Sequence, residues 1–135
     1  MPDPIRIAAA LIVRADGKAL LVRKRGSSIF MLAGGKIAPG ETAAEALRRE
    51  LSEELSCGVA PDPTYLGHYS AAAANEAGHR VEAELFAVEL VGELIIGAEI
   101  EEAIWIDPDH PGPVQLAPLA RDHLLPLARA QRRPK

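Results

Sequence analysis

Glu50, Glu53 and Glu54 stand three and four residues apart, a spacing that gathers side chains on one side of a helix. At roughly 100° per residue, Glu53 and Glu54 fall on either side of Glu50, within about a third of the circumference. Like charges so placed repel by about a few tenths of a kcal/mol per pair. Hard oxygen donors this close together are what Mg²⁺ or Mn²⁺ selects. A divalent cation would relieve the repulsion and bridge to phosphate oxygens of a substrate. Arg49 precedes Glu53 by four residues, the spacing of a helical ion pair. Taken alone, an E-x-x-E-E face is more often a solvated acidic surface, because short motifs match by chance.

The residues upstream change that weighting. Gly34 and Gly35 carry no Cβ, so their backbone can approach a ligand or expose a carbonyl to a metal. The loop 36–40 then delivers Glu41 to a helix start. Thr42 followed by Glu45 is a capping box, which predicts a helix from about Ala43 to Ser56, with Gly58 and Pro61 beyond its end. On that helix Ala44, Leu47, Leu51 and Leu55 form an apolar stripe to bury, while Glu45, Arg48 and Ser52 face solvent.

The whole stretch reads G-x5-E-x7-R-E-U-x-E-E-x-x-U, with U a bulky apolar residue, carried by Gly35, Glu41, Arg49, Glu50, Leu51, Glu53, Glu54 and Cys57. It resembles the Nudix box, here residues 35–57. Six fixed identities at about 7% usage each make a chance match at one register on the order of one in ten million. Ser56 departs from the pattern, which has glycine there. Outside the box, Leu20-Leu21-Val22-Arg23 resembles the family's preceding strand. Phe30 to Gly35 is similar to the W-x-L-P-G-G lead-in, with Phe30 for Trp and Ala33 for Pro. Glu101 to Trp105 is similar to the later E-x-x-W strand.

The resemblance implies a Mg²⁺-dependent (or Mn²⁺-dependent) pyrophosphohydrolase of nucleoside-diphosphate derivatives, built as an α/β/α sandwich. It implies that Glu50, Glu53 and Glu54 hold metal with the Gly34 or Gly35 carbonyl, and that Glu41 either supports those ligands from behind or is itself an accessory ligand. Arg49 would orient the carboxylates through Glu53 or Glu41. Glu99 best matches the outside acid that acts as ligand or base in related enzymes, ahead of Glu101 and Glu102. Arg23, Arg25 or Lys36 would stabilise developing charge, each with a plain surface cation as the competing account, and Phe30 joins Arg23 and Lys36 as a substrate-contact candidate.

The elements that must carry these residues follow from pattern. Ile5 to Val13 and Ala19 to Arg23 read as strands around the turn at Ala15 to Lys18, predicting a hairpin. Phe30 to Leu32, Tyr65 to Ala73, Val81 to Leu90 and Ala103 to Ile106 supply further strands. Ala117 to Ala130 is a second helix pattern interrupted by Pro126, and the chain frays from Gln131 to Lys135. Two helices and several strands make a mixed α/β sheet with packed helices. At 135 residues and 48% hydrophobic, the chain suits one domain over residues 1–135 with a real core. The net charge of −4 argues against polymeric nucleic acid as a partner. One cysteine, no apolar run of membrane length and no signal-peptide pattern predict a cytoplasmic protein without a membrane partner. Open strand edges are compatible with a homodimer.

A nucleoside triphosphate, native or oxidised, is the favoured substrate for so short a chain, with ADP-ribose and dinucleoside polyphosphates as alternatives. The stretch Ala71 to Ala74 lacks the marker Pro or Tyr that members selective for those often carry. A non-catalytic nucleotide-sensing module would predict a broken acidic edge, and a purely structural domain would leave the edge's repulsion uncompensated. The four histidines lack ligand spacing, Trp105 reads as core and Cys57 as a buried thiol. The Asn75 to Arg80 loop is long enough to reach the substrate, although an ordinary polar hairpin connection is the favoured reading.

Overall fold

Strand β1 (Ile5–Leu11) organises the molecule because both of its edges are paired. The computed structural model describes residues 3–56, 58–60, 63–74, 76–97 and 99–131; the expectations for Cys57 and for the chain beyond Gln131 lie outside them. Along one edge β1 runs antiparallel to β4 (Gly34–Lys36), and along the other parallel to β7 (Arg80–Ala87). β6 (Thr64–Ala72) closes this sheet at the far side, in the order β4-β1-β7-β6. A second sheet takes β2 (Ala19–Lys24), β3 (Ile29–Met31), β9 (Ile100–Ile106) and β10 (Gln115–Leu116) in the order β10-β3-β2-β9. β5 (Gly58–Val59) and β8 (Leu90–Val91) form a small ladder of their own.

Alternation along β1 divides the interior in two. Ala8, Ala10 and Ile12 turn towards α1 (Ala43–Leu55) and pack in one core with Leu47, Leu51, Leu55, Phe86 and Ile100. Ala9 and Leu11 turn the other way, into a core with Leu21, Leu85, Leu124 and Ala128. That second core is roofed by a π-helical turn (Ala120–Leu124) running into α2 (Leu125–Gln131). Helices therefore cover opposite faces of the sheet region, the α/β/α layering the sequence predicts. Pro126 explains the widened turn: it has no N–H to donate and its ring crowds the carbonyl four residues back, and a π-turn relieves both constraints.

The expected hairpin is only partly formed. The turn at Ala15 to Lys18 is present, yet β1 and β2 are joined only by the Val13–Ala19 bridge before they part into different sheets. With β4 and β7 on its two edges, β1 has no edge left for β2. The predicted strand 81–90 likewise ends at Ala87, and Leu90 belongs to β8.

α1 begins where its capping box predicts. Thr42 Oγ1 accepts the Glu45 N–H and Glu45 accepts the Thr42 N–H. It ends at Ser56 with φ 54°, in the left-handed region. Glycine tolerates that conformation without cost and L-residues do not, so the serine keeps the glycine's backbone role. Among the described residues, no helix is long and apolar enough to cross a membrane.

Candidate active site

Gly34 and Gly35 let strand and helix approach more closely than any side chain permits. A Cβ on Gly34, whose φ is +141°, would stand 2.2 Å from the Ala8 carbonyl oxygen; one on Gly35 would stand 2.4 Å from the Glu50 carboxyl carbon. The Glu50 carboxylate thus occupies the place a residue-35 side chain would fill. One turn on, Glu54 accepts the Gly34 N–H at 3.0 Å. The helical wheel places Glu54 on an acidic edge, but the close approach of β4 puts it among the buried residues of α1, with only 6% of its surface exposed. Burial pushes its carboxyl up to about 7; the charges of Glu50 and Glu99 push the same way, against the Gly34 N–H and Lys24.

These groups line a cavity of about 470 Å³. Glu50, Glu54, Glu99, Gly34, Gly35 and Lys24 all face it. Ile5, Ile7, Val81, Leu119 and Ala72 to Ala74 supply apolar wall, and Lys36 and Glu76 also line it. The arrangement suits an amphipathic ligand with an anionic part and a flat apolar part.

Arg49 binds the carboxylates together. Its Nε and Nη2 donate to the two Glu41 oxygens at 2.7 and 2.9 Å, Nη1 donates to Glu50 at 2.9 Å, and Nη2 also reaches the Lys36 carbonyl at 3.1 Å. Glu53 lies 3.7 Å from Nη1. The paired guanidinium, with help from the Ala38 N–H, draws the Glu41 carboxyl down to about 2.

Several sequence-derived candidates fall elsewhere. Glu41 does not line the cavity; its two oxygens accept from Arg49 and the Ala38 N–H, so it anchors Arg49 from outside the lining. Glu53 also lies off the lining, its side chain 54% exposed. Phe30 is buried in the α2-side core, beneath the Arg23 guanidinium. Arg23 is turned to Glu102 and to the Ser27 carbonyl, and Arg25 to Glu101. Neither arginine lines the cavity, whereas Lys24 between them does. A register shift between Arg23 and Lys24 in the β2–β9 pairing accompanies that division, and a bulge of this kind re-aims a side chain. The basic run signals a cation but not which of the three turns inward.

Glu99 lines the cavity and sits close enough to Glu54 for its charge to act on that carboxyl. The segment preceding it is fastened to the end of α1: Ile95 and Gly97 donate their N–H groups to the carbonyls of Leu55 and Glu54, each at 2.9 Å. Arg25 N–H then holds the Glu99 carbonyl at 2.8 Å.

Among the described residues, no three carboxylate, imidazole or thiolate groups converge into a ready-made metal cage. The donor chemistry nevertheless suits a hard divalent cation. Glu54 is buried beside two further carboxylates, and the glycine at 35 leaves space for the Glu50 head group.

The family model of the NUDIX domain matches residues 3–128. The chain is 32% identical over 121 residues to the ADP-ribose pyrophosphatase of Methanocaldococcus jannaschii, across 87% of this chain and 68% of that protein. It is 31% identical over 119 residues to the CTP pyrophosphohydrolase of Escherichia coli, across 84% of each. Its fold is similar to the crystal structure of a MutT NUDIX hydrolase from Burkholderia pseudomallei, with a TM-score of 0.73 and 25% identity, across 98% of this chain and 100% of that one.

Proposed function

This chain belongs to the Nudix hydrolase family, and from that premise we propose that it hydrolyses a nucleoside triphosphate to the monophosphate and pyrophosphate with the help of Mg²⁺. The observation that carries this reading is the buried Glu54 carboxyl on the Gly34 N–H, in one cavity with Glu50, Glu99 and Lys24. A divalent cation that accompanies a polyanionic substrate would balance these clustered carboxylates.

Glu50, Glu54 and the Gly34 or Gly35 carbonyl would hold the cation, with the more exposed Glu53 as a further oxygen ligand. When bound, the cation neutralises phosphate charge and makes a water easier to deprotonate. The residues of the chain then have separable tasks. Arg49 keeps Glu50 at its place beside Gly35. Lys24 faces the phosphates and offsets negative charge that builds on the leaving group. Glu99 accepts the proton of the attacking water. The water oxygen bonds to one phosphorus atom, the bond from that phosphorus to the bridging oxygen breaks, and the bridging oxygen leaves with the other phosphoryl group.

A nucleoside triphosphate is favoured over ADP-ribose because the CTP-hydrolysing relative is matched over 84% of its length and the ADP-ribose-hydrolysing one over 68%. The test is release of pyrophosphate from a panel of nucleoside triphosphates, with ADP-ribose and a dinucleoside polyphosphate alongside, with and without Mg²⁺. Turnover of triphosphates that Mg²⁺ supports and Glu54→Gln reduces by about a hundredfold or more is the expected outcome. Turnover of ADP-ribose alone would overturn the substrate, and full activity of Glu54→Gln would overturn the site.

A further inference from the structure

Two further charged side chains line the cavity, both exposed to solvent: Lys36 at 70% and Glu76 at 46%. Glu76 lies on the connection between β6 and β7, and Lys36 at the end of β4; both line the cavity and their charged groups are 3.9 Å apart. Residues 76–79 form a turn. The His79 N–H donates to the Glu76 carbonyl at 3.1 Å, the Ala73 N–H donates to the His79 carbonyl at 3.0 Å, and Gly78 takes the positive φ of 84° the turn requires. Ala72, Ala73 and Val81 flank it with small or apolar surface, which suits the faces of a planar ring but offers nothing to its polar edge. That edge has Glu76 as acceptor and Lys36 as donor.

We propose that Glu76 is the base-reading residue, selecting cytosine over uracil. The inference rests on the nucleoside-triphosphate reading above and deepens it. Cytosine presents the N4 amino group as donor beside the N3 acceptor, which matches a carboxylate beside an ammonium. Uracil presents an O4 acceptor beside an N3–H donor, so the same pose sets oxygen against carboxylate and N–H against cation. A carboxylate accepting from cytosine N4 is a recurring pairing in base recognition. Mismatched like-polarity contacts reject a partner more strongly than lost apolar contact does. The rings are of equal size, so the apolar wall cannot make this distinction.

The test compares kcat/KM for CTP and UTP in the wild type, Glu76→Gln and Glu76→Ala. An amide at position 76 donates as well as accepts, so the preference for CTP should fall by about tenfold in Glu76→Gln and by at least as much in Glu76→Ala, where Lys36 alone still opposes the uracil N3–H. A preference that stays within about twofold of the wild-type ratio in both variants would overturn the proposal, as would an equal loss for both nucleotides. Binding of CMP and UMP by calorimetry runs in parallel on the same proteins. If the wild type turns over neither triphosphate yet binds CMP more tightly, and Glu76→Ala loses most of that difference, the hydrolytic reading fails while the base-reading role stands.

Discussion

The Gly97 N–H donates to the carbonyl of Glu54 at 2.9 Å, so the chain that delivers Glu99 is tied to the helical residue on whose carboxyl the Glu99 charge acts. Ile95 makes the neighbouring bond to Leu55, and the two together satisfy carbonyls that the end of α1 would leave unpaired. The relative placement of Glu54 and Glu99 is therefore set locally, although they are 45 positions apart in the sequence.

A side chain at position 97 tests that coupling. A Cβ there would stand 3.1 Å from the Glu53 carbonyl oxygen, closer than ordinary packing allows. The backbone must give by a few tenths of an ångström, which shifts Glu99 relative to Glu54. Gly97→Ala should lower kcat by about tenfold while KM changes by less than about twofold. Steady-state kinetics with a thermal melt as control checks this; unchanged kcat, or a KM rise that accounts for the whole effect, would dismiss the coupling.

Arg49 supports a second prediction. Its guanidinium serves Glu41 with two nitrogens and Glu50 with a third, a fork that a single ammonium cannot reproduce. Arg49→Lys should raise the Mg²⁺ concentration for half-maximal activity by about ten- to a hundredfold with the fold intact. Metal titration of the rate measures it. An unaltered titration curve would mean that Glu50 needs no such support.

How far the sequence predicts these placements depends on whether a determinant is local. Thr42 and Glu45 lie within one turn of each other, so the capping box and the start of α1 could be read directly. Gly34 and Gly35 also signalled close approach, because the missing Cβ is a property of the residue itself. Lys24 was not distinguishable from Arg23 and Arg25, because the shift that separates them arises from pairing with β9, at Glu102 and Ile100. The burial of Glu54 and the parting of β1 from β2 were hidden for the same reason: each is decided by which strand occupies a neighbouring edge. Glu76 looked like an ordinary polar loop residue, since nothing in the loop reveals that Lys36 lies opposite.

Ser56 offers a stability test separate from the chemistry. Its φ of 54° is a conformation that costs an L-residue roughly 1 kcal/mol relative to glycine. Ser56→Gly should therefore stabilise the protein by about 1 kcal/mol, or about 4 °C in thermal midpoint, and leave kcat unchanged. A lower midpoint would show that the serine contributes more than its backbone conformation costs.

On the surface of the β6–β7 ladder, His68 Nδ1 meets Glu84 at 3.0 Å and Nε2 meets Glu82 at 2.5 Å. Two carboxylate partners require both ring nitrogens to carry hydrogen, so the imidazolium is the form that fits. Glu82 and Glu84 accordingly raise the His68 pKa above its ordinary 6.5. Ser70 and then His68 lower Glu82, and Tyr65 chiefly lowers Glu84, from the ordinary 4.5. Arg80 and Arg6 add their charge to the two carboxylates. A raised histidine contributes its full stabilisation below pH 6.5 and loses it as pH climbs through the folded-state value. Depressed carboxylates contribute above pH 4.5 and lose it as pH falls through their folded-state values. The cluster therefore stabilises most between those limits. His68→Gln should melt below the wild type at about pH 6, and the gap should narrow towards about pH 9. Melting curves across that range decide it: a gap that is constant with pH would assign His68 a packing role alone.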